Sequence, residues 1–230
     1  MLIRSVCGLA ALATIALLAS AEAITYNPGL GTLPQAQGWD FNGTYNAPMG
    51  VAGGILTYGA TTVGGTTYWG FEPIDSLNFA TTTATVEADL KLSGSDFGNF
   101  SGYRRAGFSL ILSDDFGRWI IADLGDNTIG IGNDDPRTGD PTASVNLTGD
   151  FHRVKLEAGP AGGKLYVDGV LKLSLALGTG RSGGAAVNWG DGTVLANATQ
   201  TQIREVVYIP TPGSFALASI GGLLLGSRRR

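Results

Sequence analysis

Cysteine and histidine are nearly missing: Cys7 and His152 are the single examples in 230 residues. Cys7 falls in an N-terminal segment expected to be removed, so the exported body has no disulfide, no thiol nucleophile and no thiolate metal site. One imidazole excludes a zinc site built on several histidines. Strand parity directs His152 inward with Val154 and Leu156, which makes it a poor base for a Ser-His-Asp triad. Charge is scarce as well, at 15% of residues against a usual share of about 25%. Residues 24–209 carry 18 Asp/Glu and only 11 Lys/Arg. An acidic body without a basic stripe excludes nucleic acid as a partner, because phosphate contacts need clustered cations. No stretch between 24 and 209 keeps helical periodicity for three turns. Glycine, by contrast, is abundant, at 36 residues, about twice its usual share of roughly 7%, which suits a turn-rich β protein.

Both ends read as addresses. Met1 to Arg4 carries one positive charge, Val6 to Ala19 is apolar apart from Gly8 and Thr14, and Ala21-Glu22-Ala23 follows. That order, a basic start, a short apolar stretch and small residues at Ala21 and Ala23, predicts a signal peptide over 1–23, cut after Ala23 by signal peptidase. At the other end, Pro210-Thr211-Pro212 halts any strand near Ile209. The apolar run Gly213 to Ser227 and then Arg228-Arg229-Arg230 complete the chain. As a helix, fifteen residues reach about 22 Å, short of the roughly 30 Å hydrocarbon core. Terminal arginines behind a marginal span match the positive-inside rule, with the body outside.

Residues 209–230 resemble the PEP-CTERM sorting tail of secreted bacterial proteins, which an exosortase processes. The proline spacing, the Gly-rich apolar helix and the arginine triplet match that family, while Thr211 stands where it carries Glu. The resemblance implies an exosortase partner and at least transient membrane contact through a C-terminal transmembrane helix. A permanent tail anchor is the alternative.

Between the two addresses, 24–208 is expected to form one β domain. In Thr82 to Leu92, the residues Ala84, Val86, Ala88, Leu90 and Leu92 share one face, and Thr85, Glu87, Asp89 and Lys91 the other. Phe151 to Ala158 repeats the alternation. Lys164 to Ser174 reads as a hairpin turning at Asp168-Gly169, a pair suited to the positive φ of a two-residue turn. Further strands are expected at 55–61, 66–71, 105–112, 118–124, 128–132, 185–188 and 201–209. Trp119-Ile120-Ile121-Ala122, apolar on both faces, belongs to a central strand.

Phe151-His152-Arg153-Val154-Lys155-Leu156, followed by Lys164-Leu165-Tyr166-Val167-Asp168-Gly169-Val170-Leu171, resembles the laminin-G/concanavalin A-like jelly roll. That resemblance implies an all-β fold of two antiparallel sheets with a concave face, a common platform for glycans.

Carboxylates and aromatics are the remaining chemistry. Glu87 and Asp89 share an outward face, as in jelly-roll glucanases, but Lys91 and Leu92 occupy the positions where those enzymes place their acid. The acids Asp114, Asp115, Asp123, Asp126, Asp134 and Asp135 crowd a 22-residue stretch of turns. Hard oxygen ligands on loops suit Ca²⁺, with Asp126, Asp134 and Asp135 as candidate ligands; Asp equally favours turns for its local backbone hydrogen bonds. Trp189, Trp69 and Tyr103, with Asp191 beside Trp189, are the candidate sugar platform, and Trp119 is expected in the core. The expectation is a non-catalytic, lectin-like carbohydrate-binding module, exported and sorted to the bacterial envelope or extracellular matrix, with polysaccharide as its partner. The alternatives are a structural or protein-contact component of an exopolysaccharide matrix and a glycoside hydrolase.

Overall fold

The computed structural model describes residues 23–42, 49–59, 67–71, 77–94, 98–100, 103–105, 107–133, 140–180, 184–191 and 200–210. In chain order the strands are β1 (Ile24–Tyr26), β2 (Asp40–Asn42), β3 (Met49–Ala52), β4 (Ile55–Gly59), β5 (Thr67–Phe71) and β6 (Ala84–Ser93). Then come β7 (Gly98–Phe100), β8 (Tyr103–Arg105), β9 (Phe108–Ser113), β10 (Trp119–Leu124), β11 (Thr128–Gly132) and β12 (Thr142–Ser144). The last five are β13 (His152–Gly159), β14 (Gly162–Val167), β15 (Val170–Leu175), β16 (Ala186–Asp191) and β17 (Gln200–Pro210). Two short 3-10 turns, Pro28–Leu30 and Pro34–Gln37, are the helical elements among the described residues. No helix among these residues is long and apolar enough to cross a membrane.

The strands form two large antiparallel sheets. The first runs β15-β14-β13-β6-β17-β4-β3, with β1 also paired to β17; the second runs β12-β11-β10-β9-β16-β5-β2. A small ribbon joins β7 to β8. The all-β fold expected from the alternation, and the two antiparallel sheets that the jelly-roll resemblance implies, are therefore present. The Asp168-Gly169 turn is formed as expected, with φ of +50° and +77°, the sign that a tight hairpin joining right-twisted strands requires. The strand leading to Pro210 closes the described body, with Pro210 opposite Ala84.

One apolar core lies between the sheets. From the first sheet it takes Val86, Ala88, Leu90, Val154, Leu156, Leu165, Ile203 and Tyr208; from the second, Phe108, Leu110, Leu112, Ile120, Leu124, Ile131 and Val187. At one end Trp189 stacks on Tyr26 with ring centroids 5.6 Å apart, and Trp39 meets Trp189 edge-on at 5.6 Å. Such pairs add about 0.5–1.5 kcal/mol each beyond the area they bury.

The outer faces differ. On the first sheet, β6 alternates buried and half-buried residues, and its outward Glu87 and Asp89 stand opposite Lys155 and Arg153 of β13. On the second sheet, β9 and β10 are buried at every position. An antiparallel sheet commonly leaves one face wet; here β9 and β10 are sheltered on both faces, so the outer face of this sheet is the place to look for a site.

Candidate functional site: the outer face of the second sheet

Register arranges the outward positions of this sheet in rows. Asp123 on β10 faces Ser109 on β9, which faces Gly190 on β16; on its other side Asp123 faces Gly130 of β11. The next row reads Gly132, Ile121, Ile111, Asn188 and Gly70. A third begins with Trp119 opposite Ser113. Ile111, Trp119 and Ile121 pack together as a small apolar cluster separate from the main core.

Asp123 is the unusual member of this face. It sits in a strand interior, 3% exposed, and its Oδ1 accepts a 2.8 Å hydrogen bond from Ser109 Oγ. A buried carboxylate is costly unless hydrogen bonds hold it, so such a group on a sheltered face is a functional candidate. Within its row the Asp123–Ser109 pair is flanked on both sides by glycine, Gly130 and Gly190. Glycine within a strand is unfavourable unless a ligand or another backbone must come close. The face thus combines a carboxylate that accepts, a hydroxyl and an amide (Ser109, Asn188) that both donate and accept, and apolar surface from Ile111, Ile121 and Trp119. That mixture suits a hydroxyl-rich ligand with an apolar side.

Of the predicted site residues, Trp69, Trp189 and Asp191 fall on the paired strands β5 and β16, and Tyr103 on the small ribbon. Trp189 is fully buried in the core, against Tyr26, Trp39 and Phe108, so the expectation that it presents a sugar platform is corrected. Its polar neighbours Asn188 and Gly190 lie on the opposite face of the same strand, which is why they signalled an exposed strand end. Trp119 is buried as expected, but on the outer face. The backbone of Trp69 pairs with Trp189, Tyr103 pairs with Phe100 in the small ribbon, and Asp191 pairs with Thr67; their side chains lie outside the described residues. So do Asp134, Asp135, Pro212, Arg228, Arg229, Arg230 and Ala21. Ala23 is exposed just ahead of β1.

The acidic turns are occupied by structural hydrogen bonds. Asp114, fully buried, accepts at Oδ1 from the N–H groups of Phe116 and Arg118, and at Oδ2 from Phe79 N and Arg118 Nε. Asp115 Oδ1 accepts from Ala185 N at 3.1 Å, and Asp126 Oδ2 from Gly94 N at 2.9 Å. Among the described residues no three His, Cys, Asp or Glu side chains converge. With these hydrogen bonds both Asp114 oxygens are satisfied, while Asp115 and Asp126 are each tied to the backbone through one oxygen.

The outward carboxylates of the first sheet form an ion-pair ladder. Arg153 Nε donates to Glu87 Oε2 at 2.8 Å and its Nη1 to Glu205 Oε2, while Lys164 Nζ reaches Glu157 Oε1 at 3.3 Å. Burial raises the Asp89 carboxyl above its ordinary range; Arg204 and Arg153 oppose that shift, and Glu205 and Asp168 add to it. A bulge in β17 between Ile203 and Glu205 accompanies Arg204's position over the Phe151 ring, 3.7 Å from its centroid. His152 is half-buried at the start of β13, with Nδ1 2.8 Å from Asp168 Oδ2.

No protein-family model matches the chain, and no curated protein matches it. Solved structures do. A carbohydrate esterase from Shiga toxin-encoding bacteriophage phi24B aligns with a TM-score of 0.57 and 13% identity, over 83% of this chain and 98% of its own. The Emp46p carbohydrate recognition domain aligns at 0.53 and 12% identity, over 80% and 95%. The metal-free VIP36 exoplasmic/lumenal domain aligns at 0.50 and 13% identity, over 81% and 91%. At these identities the likeness shows the fold, a lectin-like β sandwich. It also corrects the expectation that the chain is not an enzyme: a carbohydrate esterase shares this scaffold over nearly its whole length, so the fold does not separate binding from catalysis.

Proposed function

We propose that the protein is an exported carbohydrate-binding domain that takes a polysaccharide on the outer face of its second sheet. The observation that carries this reading is the buried Asp123–Ser109 pair, set between Gly130 and Gly190 in one cross-strand row. A carboxylate accepting from sugar hydroxyls, with Asn188 one row away and Ile121 and Ile111 against the ring's apolar side, is the chemistry that oligosaccharides require. The carbohydrate recognition domains that share the fold support it.

In this reading residues 1–23 are the signal peptide, 24–208 the sandwich and 209–230 a PEP-CTERM-like tail that an exosortase handles after membrane contact. The destination is the bacterial envelope or extracellular matrix. Tyr103 is the proposed extension of the sugar platform, since register pairs Trp69 with the inward Trp189 and sets Asp191 two residues further along that strand, and Asp126, Asp134 and Asp135 are the proposed Ca²⁺ ligands.

The test is a glycan array probed with the full chain in calcium and in EDTA, repeated with Asp123→Asn, with release of acetyl groups or reducing ends assayed on each bound glycan. Binding to one polysaccharide class that Asp123→Asn abolishes is the expected result. A folded protein that binds no glycan in either buffer overturns the reading in favour of a structural matrix component. Turnover on the bound glycan makes the same face an active site.

A further inference from the structure

A recess is lined by residues that the outer-face site does not use. A cleft of about 490 Å³ opens between the segment before β6, the turn joining β9 to β10, and the turn joining β13 to β14. Phe79, Ala80, Arg118, Pro160, Ala161 and Leu177 line it. Its size falls within the roughly 300–1,000 Å³ of small-molecule sites.

Arg118 is its polar group, and it is held rigidly. Nε and Nη2 both lie 2.8 Å from Asp114 Oδ2, and Nη2 also donates to Asn78 Oδ1. Asp114 is itself fixed by three backbone N–H groups. Nη1 has no hydrogen-bond partner among the described residues, and the Arg118 side chain, 21% exposed, lines the cleft. The guanidinium also lies 5.3 Å from the centroid of the Phe116 ring, and Phe116 is 65% exposed. An aromatic ring that exposed, steadied by a cation rather than by the core, is an unusual use of a large apolar side chain.

The lining selects the ligand. The two-nitrogen edge of Arg118 that would fork onto a carboxylate is spent on Asp114, whose charge also offsets that of the guanidinium. The body carries 18 Asp/Glu against 11 Lys/Arg over 24–209, which disfavours polyanions. What remains is one donor, apolar walls from Ala80, Pro160, Ala161 and Leu177, and a flat ring alongside. We propose that this cleft, with Phe116 beside it, is a second saccharide subsite that binds one or two neutral sugar units, distinct from the outer face of the second sheet.

The experiment is an amide-resolved NMR titration of the full chain with maltotriose, cellotriose and diacetylchitobiose, and with glucuronic acid as the anionic comparison. Neutral probes are expected to shift the amides of Phe79, Ala80, Ala161 and Gly162. Ala161→Trp, which fills the cleft from an exposed turn, abolishes those shifts. Phe116→Ala weakens the binding by about tenfold, and Asp123→Asn leaves the cleft response intact. Cleft amides that stay still while those of Ile121, Asp123 and Asn188 move overturn this subsite alone; the converse pattern overturns the outer-face site alone. Cleft shifts seen only with glucuronic acid overturn the neutral ligand class, and shifts unchanged in both Ala161→Trp and Phe116→Ala place the ligand elsewhere.

Discussion

Asp168 clamps the start of β13 from across its hairpin: Oδ2 lies 2.8 Å from His152 Nδ1, and Oδ1 accepts from Arg153 N at 2.9 Å. Asp168 is also the non-glycine residue with positive φ among the described residues, at +50°. One side chain therefore sets the turn and ties it to a neighbouring strand. Burial pushes its carboxyl up, but the His152 hydrogen bond, the Arg153 N–H and the charges of His152 and Lys172 outweigh that and leave it below its ordinary value of 3.8. A depressed carboxyl stabilises the fold fully above its unfolded value, and that contribution is lost as pH falls through the lower folded value.

Asp168→Asn isolates the charge, because Asn tolerates the same positive φ. Chemical denaturation across pH is expected to show the variant less stable than the parent at neutral pH. The gap closes as pH drops below the ordinary aspartate range. A gap that persists unchanged at the acid end means that the clamp works through turn geometry and not through charge.

Gly163 on β14 lies directly beneath Ile120 on β10, so that a methyl group there would overlap the isoleucine side chain. The Ile120 side chain fills the space that a side chain at Gly163 would take. Gly163→Ala is expected to cost about 1–3 kcal/mol through overpacking, read as a lower urea midpoint at unchanged slope. The double variant with Ile120→Val recovers part of that loss if the contact is the cause.

Much of the fold was legible because its signals are local. Alternation over 82–92 marks β6, whose inward set Ala84, Val86, Ala88, Leu90 and Leu92 is fully buried, and Asp168-Gly169 marks the β14–β15 hairpin. The short strands β1, β2, β3 and β12, of three or four residues, carry too little pattern to be read alone. The site was less legible. Asp123 looks like one more acid in a run of turns; it becomes distinctive only when pairing sets it against Ser109 and between Gly130 and Gly190. A usable signal existed in the parity it shares with Trp119 and Ile121, and in the glycines alternating at 130 and 132. The burial of Trp189 is hidden in the sequence for the same reason, since parity assigns its polar neighbours to the other face.

That placement makes opposite predictions for two aromatics. Trp189→Ala removes a fully buried ring from the Tyr26–Trp39–Phe108 cluster and is expected to cost about 3–5 kcal/mol. Phe116→Ala removes an exposed ring and changes stability by no more than about 0.5 kcal/mol. Thermal melts of the two variants check both. A Trp189→Ala protein with an unaltered melting temperature contradicts its position in the core.

Ser109→Ala tests whether the buried pair on the second sheet is built for ligand or for stability. Removing the hydroxyl takes one charge-assisted hydrogen bond from Asp123, expected to cost about 1.5–3 kcal/mol in denaturant unfolding. If Asp123 also receives sugar hydroxyls, its looser carboxylate weakens glycan binding by about tenfold, while Asp123→Asn, which keeps the volume, abolishes it. A stability loss in Ser109→Ala with glycan affinity unchanged would assign the pair to holding β9 against β10. Affinity lost in step with the order Ser109→Ala then Asp123→Asn assigns it to the ligand. The two roles separate because stability is read without glycan present, and affinity is read at a temperature where both variants are folded.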